Sequence, residues 1–324
     1  MPNNLLLEVK NLSVGYEKKV ILSNLDLSIS KGEMICLMGP NGSGKSTLLK
    51  SLVGILPFLE GEVQINGKRI DKIKQEELSK IVSIVLTHKG DVQGLTVEDV
   101  VRLGRFPHTN RFGKLQKSDR NIIKESIETM NLEGIREKLI SELSDGQIQK
   151  VFIARALAQD TELIILDEPT TYLDIANKME LMSILTSISK EKGKTLLFSS
   201  HDWSLALEMC PKAWLLDLSG EISMGTPEEF LFNGTMQKLF MNEKFFLNNS
   251  SGRFCELKST PKDIYLECAD SNIKFWSLHA LEKIGFKYSE EAELRVRFND
   301  GEFKIEGGKS FSSLSDLLLR LKLS

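Results

Sequence analysis

The sequence predicts an α/β protein with a parallel sheet whose ligands bind at one edge. Three short apolar runs end in glycine or polar residues and are followed by helical patterns: Met34 to Met38, Leu163 to Leu166 and Thr195 to Phe198. This alternation is typical of parallel sheets, and ligands in such folds bind beyond the carboxyl ends of the strands. We therefore expect the residues that directly follow these strands to form the functional site.

Length and composition fit one large domain, alone or with a smaller companion. The chain has 324 residues, of which 41% are apolar and 27% are charged. The net charge is -3 with both signs interspersed, which excludes a global positive field and argues against a nucleic-acid partner. A polar run over 248–252 resembles a linker. We therefore expect domains at 1–247 and 253–324.

The cysteines and the hydropathy pattern bear on the compartment. None of the four cysteines has a paired spacing, which favours free thiols in a reducing cytosol. The N-terminus lacks the pattern of a secretory signal, and no stretch approaches the ~18 apolar residues that cross a bilayer. If the protein works at a membrane, another chain is expected to supply the span.

Helical and strand patterns continue through the rest of the chain. The segment 94–159 is largely helical by periodicity, and Ile122, Ile123, Ile127 and Met130 are expected to form one buried helix face. The tail predicts a small α+β domain. Its expected elements are a strand at 263–268, a short helix at 278–284, a hairpin of 293–298 with 302–305, and an amphipathic helix at 312–321.

The first of the three strands runs into a loop that matches G-x-x-x-x-G-K-[ST]. Glycines let successive backbone N–H groups converge on phosphates, and the N-terminus of the next helix adds its dipole. The strand before and the helix after are the context that this pattern requires. We expect Lys45 to contact the β and γ phosphates of a nucleotide and Ser46 to bind Mg²⁺. The loop residues are Gly39, Pro40, Asn41, Gly42, Ser43, Gly44, Lys45, Ser46 and Thr47.

Two adjacent acids, Asp167 and Glu168, follow the second strand. Charge at the end of a buried strand is unfavourable unless the chemistry needs it. We expect Asp167 to hold the Mg²⁺ shell and Glu168 to orient or deprotonate the attacking water. The residues thus predict hydrolysis of a nucleoside triphosphate.

A pentapeptide some twenty residues before these acids narrows the prediction. It consists of Leu143, Ser144, Asp145, Gly146 and Gln147. Over roughly residues 5–229 the chain resembles the ATP-binding cassette (ABC) family, which carries these motifs in this order. The resemblance implies a P-loop ATPase core with a helical subdomain, and ATP and Mg²⁺ as ligands. It also implies a head-to-tail homodimer in which Ser144 to Gln147 cap the ATP of the opposite subunit.

Three further residues take their roles from the resemblance. Tyr16 resembles the aromatic residue that stacks on adenine, with an exposed strand tyrosine as the alternative. Asp174 resembles the loop by which one active site senses the other, and His201 resembles the histidine that contacts the γ-phosphate. His88, His108 and His279 have no assigned role.

The subfamily is indicated by two segments. Residues 95–108 and 173–175 resemble those of ATPase subunits that energise import of iron-siderophores, haem or cobalamin. Such subunits work at the cytoplasmic face of the membrane with two permease subunits and, indirectly, a substrate-binding protein. Two alternatives stay open. One is a soluble ABC ATPase that acts on nucleic acid, ribosomes or cofactor assembly, and the other is a degenerate scaffold that has lost catalysis. The tail could bind a regulator, brace the dimer or be inert.

Two positions depart from the family pattern. Thr87 stands where the family usually has a glutamine that contacts metal and water, and Gln93 lies too far along to replace it. We expect the shorter Thr87 hydroxyl to reach Mg²⁺ through a bridging water. Asp145 replaces a glycine, and we expect its carboxylate to face solvent or its own loop, because it would repel phosphate. We expect the protein to retain ATP hydrolysis despite both departures.

Overall fold

The structure is a computed structural model, and it describes residues 4–17, 19–87, 92, 94–109, 113–171, 173–240, 245–248, 253–256 and 262–322. His88 and Gln93 therefore lie outside the described residues. The strands are β1 Leu5–Tyr16, β2 Lys19–Ser30, β3 Met34–Met38, β4 Glu60–Ile65, β5 Lys68–Arg69, β6 Val82–Val85, β7 Leu163–Leu166, β8 Thr195–Ser200, β9 Lys212–Leu216, β10 Ile222–Gly225, β11 Phe245–Asn248, β12 Arg253–Glu256, β13 Lys262–Cys268, β14 Phe286–Tyr288, β15 Arg295–Asn299, β16 Glu302–Ile305 and β17 Ser310–Phe311.

The helices connect these strands, and short 3₁₀ turns lie between several of them. The α-helices are α1 Lys45–Leu52, α2 Gln75–Leu78, α3 Val97–Leu103, α4 Lys117–Thr129, α5 Asp145–Ala158, α6 Ile175–Lys192, α7 Trp203–Met209, α8 Pro227–Phe232, α9 Thr235–Phe240, α10 Ser271–Lys283 and α11 Leu314–Lys322. The 3₁₀ turns are Ile70–Lys72, Phe106–His108, Glu133–Ile135 and Ile140–Glu142. Among the described helices, none is both long and apolar enough to span a bilayer.

The chain forms two compact units, Met1–Phe230 and Leu231–Ser324. The linker predicted at 248–252 falls within the second unit by this division. Strands β11 and β12, on either side of 249–252, pair with each other in antiparallel fashion, with Asn248 opposite Arg253. Residues 249–252 themselves lie outside the described part of the chain.

The first unit contains the parallel sheet that the sequence predicts. Its order is β10-β9-β3-β8-β7-β6, and only the edge strand β10 pairs in antiparallel fashion. The three predicted strands are therefore neighbours, with Met38 opposite Ser200 and Leu166 opposite Phe198. The third strand is two residues longer than expected, since it continues through Ser200. This register brings the carboxyl ends of β3, β8 and β7 to one edge.

A second, antiparallel sheet of order β2-β1-β4-β5 completes the core of this unit. Buried apolar side chains of both sheets and of α1 form one cluster, which includes Leu12, Leu48, Ile65 and Leu197. The strand β3 is buried along its whole length. The phosphate loop therefore starts from a rigid support.

The helical segment between β6 and β7 is confirmed, and α3 and α4 pack on α5. Ile123, Ile127 and Met130 are buried, as their spacing predicts, whereas Ile122 is only half-buried because it lies at the edge of this face. An ion pair lies inside this segment: Arg105 Nε donates to Asp119 Oδ1 at 2.9 Å, and both side chains are about 95% buried. The second guanidinium bond, from Arg105 Nη1 to Ala158 O, fixes the residues after α3 to the end of α5.

The second unit includes a five-stranded sheet of order β14-β13-β15-β16-β17. The predicted hairpin is confirmed as β15 and β16, whose turn places Asp300 and Gly301 at positive φ as a type I′ turn requires. Helix α10 starts at Ser271 rather than 278. Phe275 and Trp276 are about half exposed, so the first turns of α10 lack the apolar periodicity that reveals an amphipathic helix.

The cysteines bear out the prediction of free thiols where they are described. Cys36 and Cys210 are buried and unbridged, and Cys268 is half-buried and unbridged. Burial raises the pKa of the Cys36 thiol well above its ordinary value, so Cys36 is a core residue and not a nucleophile.

Candidate nucleotide-hydrolysis site

The glycine-rich loop joins β3 to α1 and leaves no space for side chains at two of its glycines. A Cβ on Gly39 would lie 2.4 Å from the Leu216 carbonyl oxygen. Gly44 has φ +104° and caps α1, and a Cβ there would lie 2.9 Å from Ile21 Cγ2. Only glycine fits both positions, which explains why the loop can bring its backbone N–H groups close to a ligand.

Lys45 begins α1 and is only 5% exposed. Its ammonium donates to the carbonyl oxygens of Gly39 and Pro40, both at 2.9 Å. Burial lowers the pKa of Lys45, and the carboxylates of Glu168 and Asp167 oppose this shift. The loop thus curls around a buried cation, which suits a polyanionic phosphate chain.

A second feature of the loop also favours a bound group. The Ser43 hydroxyl oxygen is buried and has no hydrogen-bond partner among the described residues. Buried hydroxyls are normally paired, so an unpaired one in this loop is consistent with a bound group or water. Asn41 and Gly42 at the tip of the loop are exposed.

Asp167 follows β7, is 96% buried and accepts hydrogen bonds from three hydroxyls. Ser46 Oγ and Ser199 Oγ donate to Oδ1 at 2.9 and 2.8 Å. Thr87 Oγ1 lies 3.1 Å from Oδ2 and 3.2 Å from the Asp167 carbonyl oxygen. Thr87 therefore contacts the carboxylate directly.

The donor set around Asp167 fits Mg²⁺. Hydroxyl and carboxylate oxygens from Ser46 and Asp167 converge, and oxygen is the ligand type that this cation prefers. Mg²⁺ also keeps several waters and usually takes only one or two carboxylates. The single buried acid with hydroxyl neighbours is thus suited to a magnesium–nucleotide complex.

Glu168 adopts an unusual backbone conformation beside this cluster. Its φ is +50°, a left-handed value uncommon for residues other than glycine. The Glu168 N–H donates to Ser199 Oγ at 2.8 Å, and Thr171 Oγ1 donates to Glu168 Oε2 at 2.9 Å. His201 Nδ1 lies 3.5 Å from the same carboxylate oxygen, and the His201 side chain is half exposed. Glu168 and His201 therefore face the solvent side of the cluster, where a substrate could enter.

Tyr16 lies at the end of β1, close to the helix that follows the phosphate loop. Its hydroxyl is 3.5 Å from Thr47 Oγ1, and the residue is 48% exposed. An aromatic ring with an open face near the phosphate helix could stack on a base.

The pentapeptide Leu143–Gln147 forms the start of α5. Ser144 caps this helix: Ser144 Oγ accepts from the Gln147 N–H at 3.4 Å, and Gln147 Oε1 accepts from the Ser144 N–H at 3.0 Å. This is the reciprocal capping box. Ser144 and Asp145 are exposed, as expected for Asp145. A solvent-facing helix N-terminus with a serine hydroxyl is suited to bind phosphate.

Asp174 caps the next helix, α6. It accepts the Asn177 N–H at 2.8 Å, and this bond lowers the pKa of Asp174 below its usual value. A Cβ on Gly146 would lie 3.0 Å from Leu173 Cδ2, so the residue before Asp174 packs against the pentapeptide. The segment before α6 is therefore in contact with the start of α5.

The structure brings together most of the residues that the sequence predicts. Hydrogen bonds and short contacts join five of them into one cluster: Ser46, Thr87, Asp167, Glu168 and His201. Ser144 and Gln147 hydrogen-bond each other within the pentapeptide. Ser199 and Thr171 also belong to this site, and neither was predicted from the sequence. The available signal for Ser199 was a hydroxyl two residues before His201, at the end of a buried strand. His108 instead bonds the Gln159 carbonyl oxygen, and His279 packs on Trp276.

Comparison with known proteins agrees with this geometry. The sequence profile of the family described as ABC transporter matches residues 22–171. An uncharacterised ABC transporter ATP-binding protein of Methanocaldococcus jannaschii is 40% identical over 271 residues, which cover 81% of this chain and 91% of the relative. The chain belongs to the ABC transporter ATP-binding proteins. It therefore has the P-loop ATPase fold that the resemblance implied, and its activity is ATP hydrolysis.

Two further similar proteins concern transport and dimer formation. The iron(3+)-hydroxamate import ATP-binding protein of Bacillus subtilis is 40% identical over 234 residues, covering 72% of this chain and 87% of the relative. A solved ATP-binding cassette, a dimer in a post-hydrolysis state bound to ADP and phosphate, is 30% identical with a TM-score of 0.60 and covers 68% of this chain and 99% of that one.

Proposed function

We propose that this protein is the ATP-hydrolysing subunit of an importer that takes up an iron chelate, haem or cobalamin through permease subunits. The main support is the cluster around Asp167, in which the phosphate loop, two acids and a histidine meet. A transport role is supported by the similarity to an iron(3+)-hydroxamate import protein over most of that protein's length. Among the three proposed cargoes, the iron chelate is the one that this similarity supports directly.

In the proposed mechanism, the loop binds the phosphates and Lys45 carries the compensating charge. Ser46 and Asp167 would hold Mg²⁺, which neutralises charge on the phosphate oxygens. Thr87 takes part by holding the second oxygen of Asp167. The bridging water between Thr87 and Mg²⁺ stays part of the proposal, beside this direct bond to the carboxylate.

Glu168 is proposed to accept a proton from the attacking water. Its carboxylate is 21% exposed, anchored by Thr171 and adjacent to His201. A positioned base of this kind typically accelerates a reaction 10²- to 10⁴-fold. His201 Nδ1 lies 3.5 Å from Glu168 Oε2, and we propose that this histidine contacts the γ-phosphate.

A complete site requires a second copy of the chain. Ser144 and Asp145 are exposed at the N-terminus of α5, where a serine hydroxyl and the helix dipole suit a phosphate. We propose that they bind the ATP held by the partner copy, with Asp174 placed next to the same surface. The dimeric structure of the related cassette supports this arrangement. Tyr16 is proposed to stack on the adenine of the ATP bound by its own chain.

The remaining partners follow from the same proposal. Permease subunits would provide the path across the membrane, and this protein would bind them peripherally at the cytoplasmic face. A substrate-binding protein would deliver the cargo on the other side. No role in nucleic-acid binding is proposed, since the net charge of -3 offers no broad basic surface.

Two measurements test the proposal. The purified protein should hydrolyse ATP in a Mg²⁺-dependent reaction, and cells that depend on it should take up ⁵⁵Fe-hydroxamate. Lys45→Ala should abolish both activities, because a buried cation that faces phosphate is lost. Lys72→Ala is the matched control, since Lys72 is exposed and far from the loop in sequence.

Each alternative predicts a different result. The wild-type protein could hydrolyse ATP while Lys45→Ala leaves the uptake of iron chelates, haem and cobalamin unchanged. That result would favour a soluble ABC ATPase that does not act in transport. Absence of ATPase activity, with or without permease subunits, would favour a degenerate scaffold.

A further inference from the structure

Ser199 is a buried hydroxyl that contacts both acids of the site. It lies near the end of β8, is fully buried, and stands opposite Leu37 of β3. Its hydroxyl donates to Asp167 Oδ1 at 2.8 Å and accepts the Glu168 N–H at 2.8 Å. One side chain of a neighbouring strand thus bonds to the proposed metal ligand and to the backbone of the proposed base.

The two bonds differ in how easily they could be replaced. Asp167 also accepts from Ser46 and Thr87, so two of its three hydroxyl donors would survive the loss of Ser199. For the Glu168 N–H, Ser199 Oγ is the hydrogen-bond acceptor found among the described residues. Removal of the hydroxyl should therefore affect Glu168 much more than Asp167.

The backbone of Glu168 makes this bond important. A non-glycine residue at φ +50° is strained, and such a conformation persists only where its surroundings hold it. The bond from the Glu168 N–H to Ser199 is one restraint, and the bond from Thr171 to the carboxylate is another. Without the first, the peptide can relax and carry the carboxylate with it.

We propose that Ser199 is a positioning residue that holds the Glu168 backbone in its left-handed conformation, so that the carboxylate points at the attacking water. This inference rests on the proposed role of Glu168 as the base. Through Ser199, strand β8 is hydrogen-bonded to the acid that follows β7, and the same strand leads to His201. A displacement of about 1 Å at a catalytic group commonly lowers the rate ~10²-fold.

The test is Ser199→Ala in the full-length protein, with kcat for ATP hydrolysis and ATP affinity measured separately. We expect kcat to fall ~10- to 100-fold while ATP affinity changes less than ~3-fold. Ser83→Ala is the matched control, because Ser83 is another buried hydroxyl of the same sheet that bonds Thr161 and touches neither acid. Its kcat should stay within ~2-fold of wild type.

A double-mutant cycle separates positioning of Glu168 from a general effect. In a Glu168→Gln background, Ser199→Ala should lower the remaining single-turnover rate less than ~3-fold, because the group that Ser199 positions is already gone. An equal fold loss in both backgrounds would overturn the proposal, as would an unchanged kcat or a loss of ATP affinity as large as the loss of kcat.

Two further results keep the outcomes distinguishable. If Ser199→Ala fails to fold, Ser199→Cys carries the same cycle and the same criteria, because a thiol sulfur is a much poorer acceptor for the Glu168 N–H than a hydroxyl oxygen. If the wild-type protein hydrolyses ATP but Glu168→Gln does so at the same rate, the proposed role of Glu168 fails together with this inference. If Glu168→Gln is inactive and Ser199→Ala is fully active, only the inference fails.

Discussion

The two units of this chain bury different kinds of residues. In the first, Asp167 and Ser199 at the ends of parallel strands and Lys45 at the start of α1 are almost fully buried, and Glu168 has a strained backbone. In the second, the buried cluster is apolar, and Ser277 is the one buried polar residue among those described. Buried polar groups are unfavourable unless paired, so a fold retains them where chemistry needs them. The comparison locates the chemistry in the first unit.

The largest expected effect tests the acid with the unusual backbone. Glu168→Gln removes the proposed base but keeps the shape of the side chain, so kcat should fall ~10²- to 10⁴-fold while ATP still binds. ATP hydrolysis and equilibrium nucleotide binding measure the two effects. Glu191→Gln, an exposed position on α6, is the control and should retain wild-type activity. If Glu168→Gln turned over ATP as fast as wild type, the main reason for placing the chemistry at this acid of the first unit would be lost.

The next effect concerns the buried ion pair between α3 and α4. Asp119→Asn leaves the buried Arg105 guanidinium without its charge partner, and this should lower the free energy of unfolding by ~3–5 kcal/mol at neutral pH. Urea unfolding of the two proteins measures the difference. Asp71→Asn, which disrupts a pair on the surface, should change stability very little.

The same pair predicts how this difference depends on pH. Burial raises the pKa of Asp119, but the Gln116 N–H and Arg105 lower it more, so the folded value lies below the ordinary 3.8. A lowered pKa stabilises the folded state above the unfolded pKa, and this contribution is lost as pH falls through the folded value. The gap between wild type and Asp119→Asn should be constant above about pH 5 and close below about pH 4. A gap that widens in acid would contradict this assignment.

An apolar core position of the second unit tests whether the units are energetically separate. Leu266 is fully buried, and Leu266→Ala should destabilise the second unit by ~2–5 kcal/mol. Calorimetry should show one shifted transition, and the ATPase rate at 25 °C should stay unchanged. Leu319→Ala, at an exposed position, is the control. A fall in ATPase rate for Leu266→Ala alone would show that the second unit takes part in hydrolysis.

The smallest expected effect concerns the threonine at the position where the family usually has glutamine. Thr87→Val keeps the shape of the side chain but removes one of three donors to Asp167, a loss of ~1 kcal/mol. The apparent Mg²⁺ affinity in the ATPase reaction should weaken ~5-fold, with little change in ATP affinity. Thr87→Ser, which keeps the hydroxyl, should behave like wild type. Equal Mg²⁺ affinities in all three proteins would leave Thr87 without a role at the metal.

The sequence was most informative where chemistry restricts the choice of residue. Lys45, Asp167, Glu168 and His201 were found because each follows an apolar strand or sits in a loop with a strict spacing. The sequence predicted Thr87 to reach Mg²⁺ through water, but it did not predict the hydrogen bond from the Thr87 hydroxyl to the Asp167 carboxylate. The start of α10 was missed, because exposed aromatic residues conceal its periodicity.

The sequence by itself determined the family, the parallel sheet and the identity of most site residues. Motif spacing and apolar runs are local properties that one stretch of chain carries. Only the tertiary structure decided that Ser199 lies between the two acids and that Arg105 pairs with Asp119. These contacts join residues far apart in the chain, and they depend on strand order and register, which no single segment encodes.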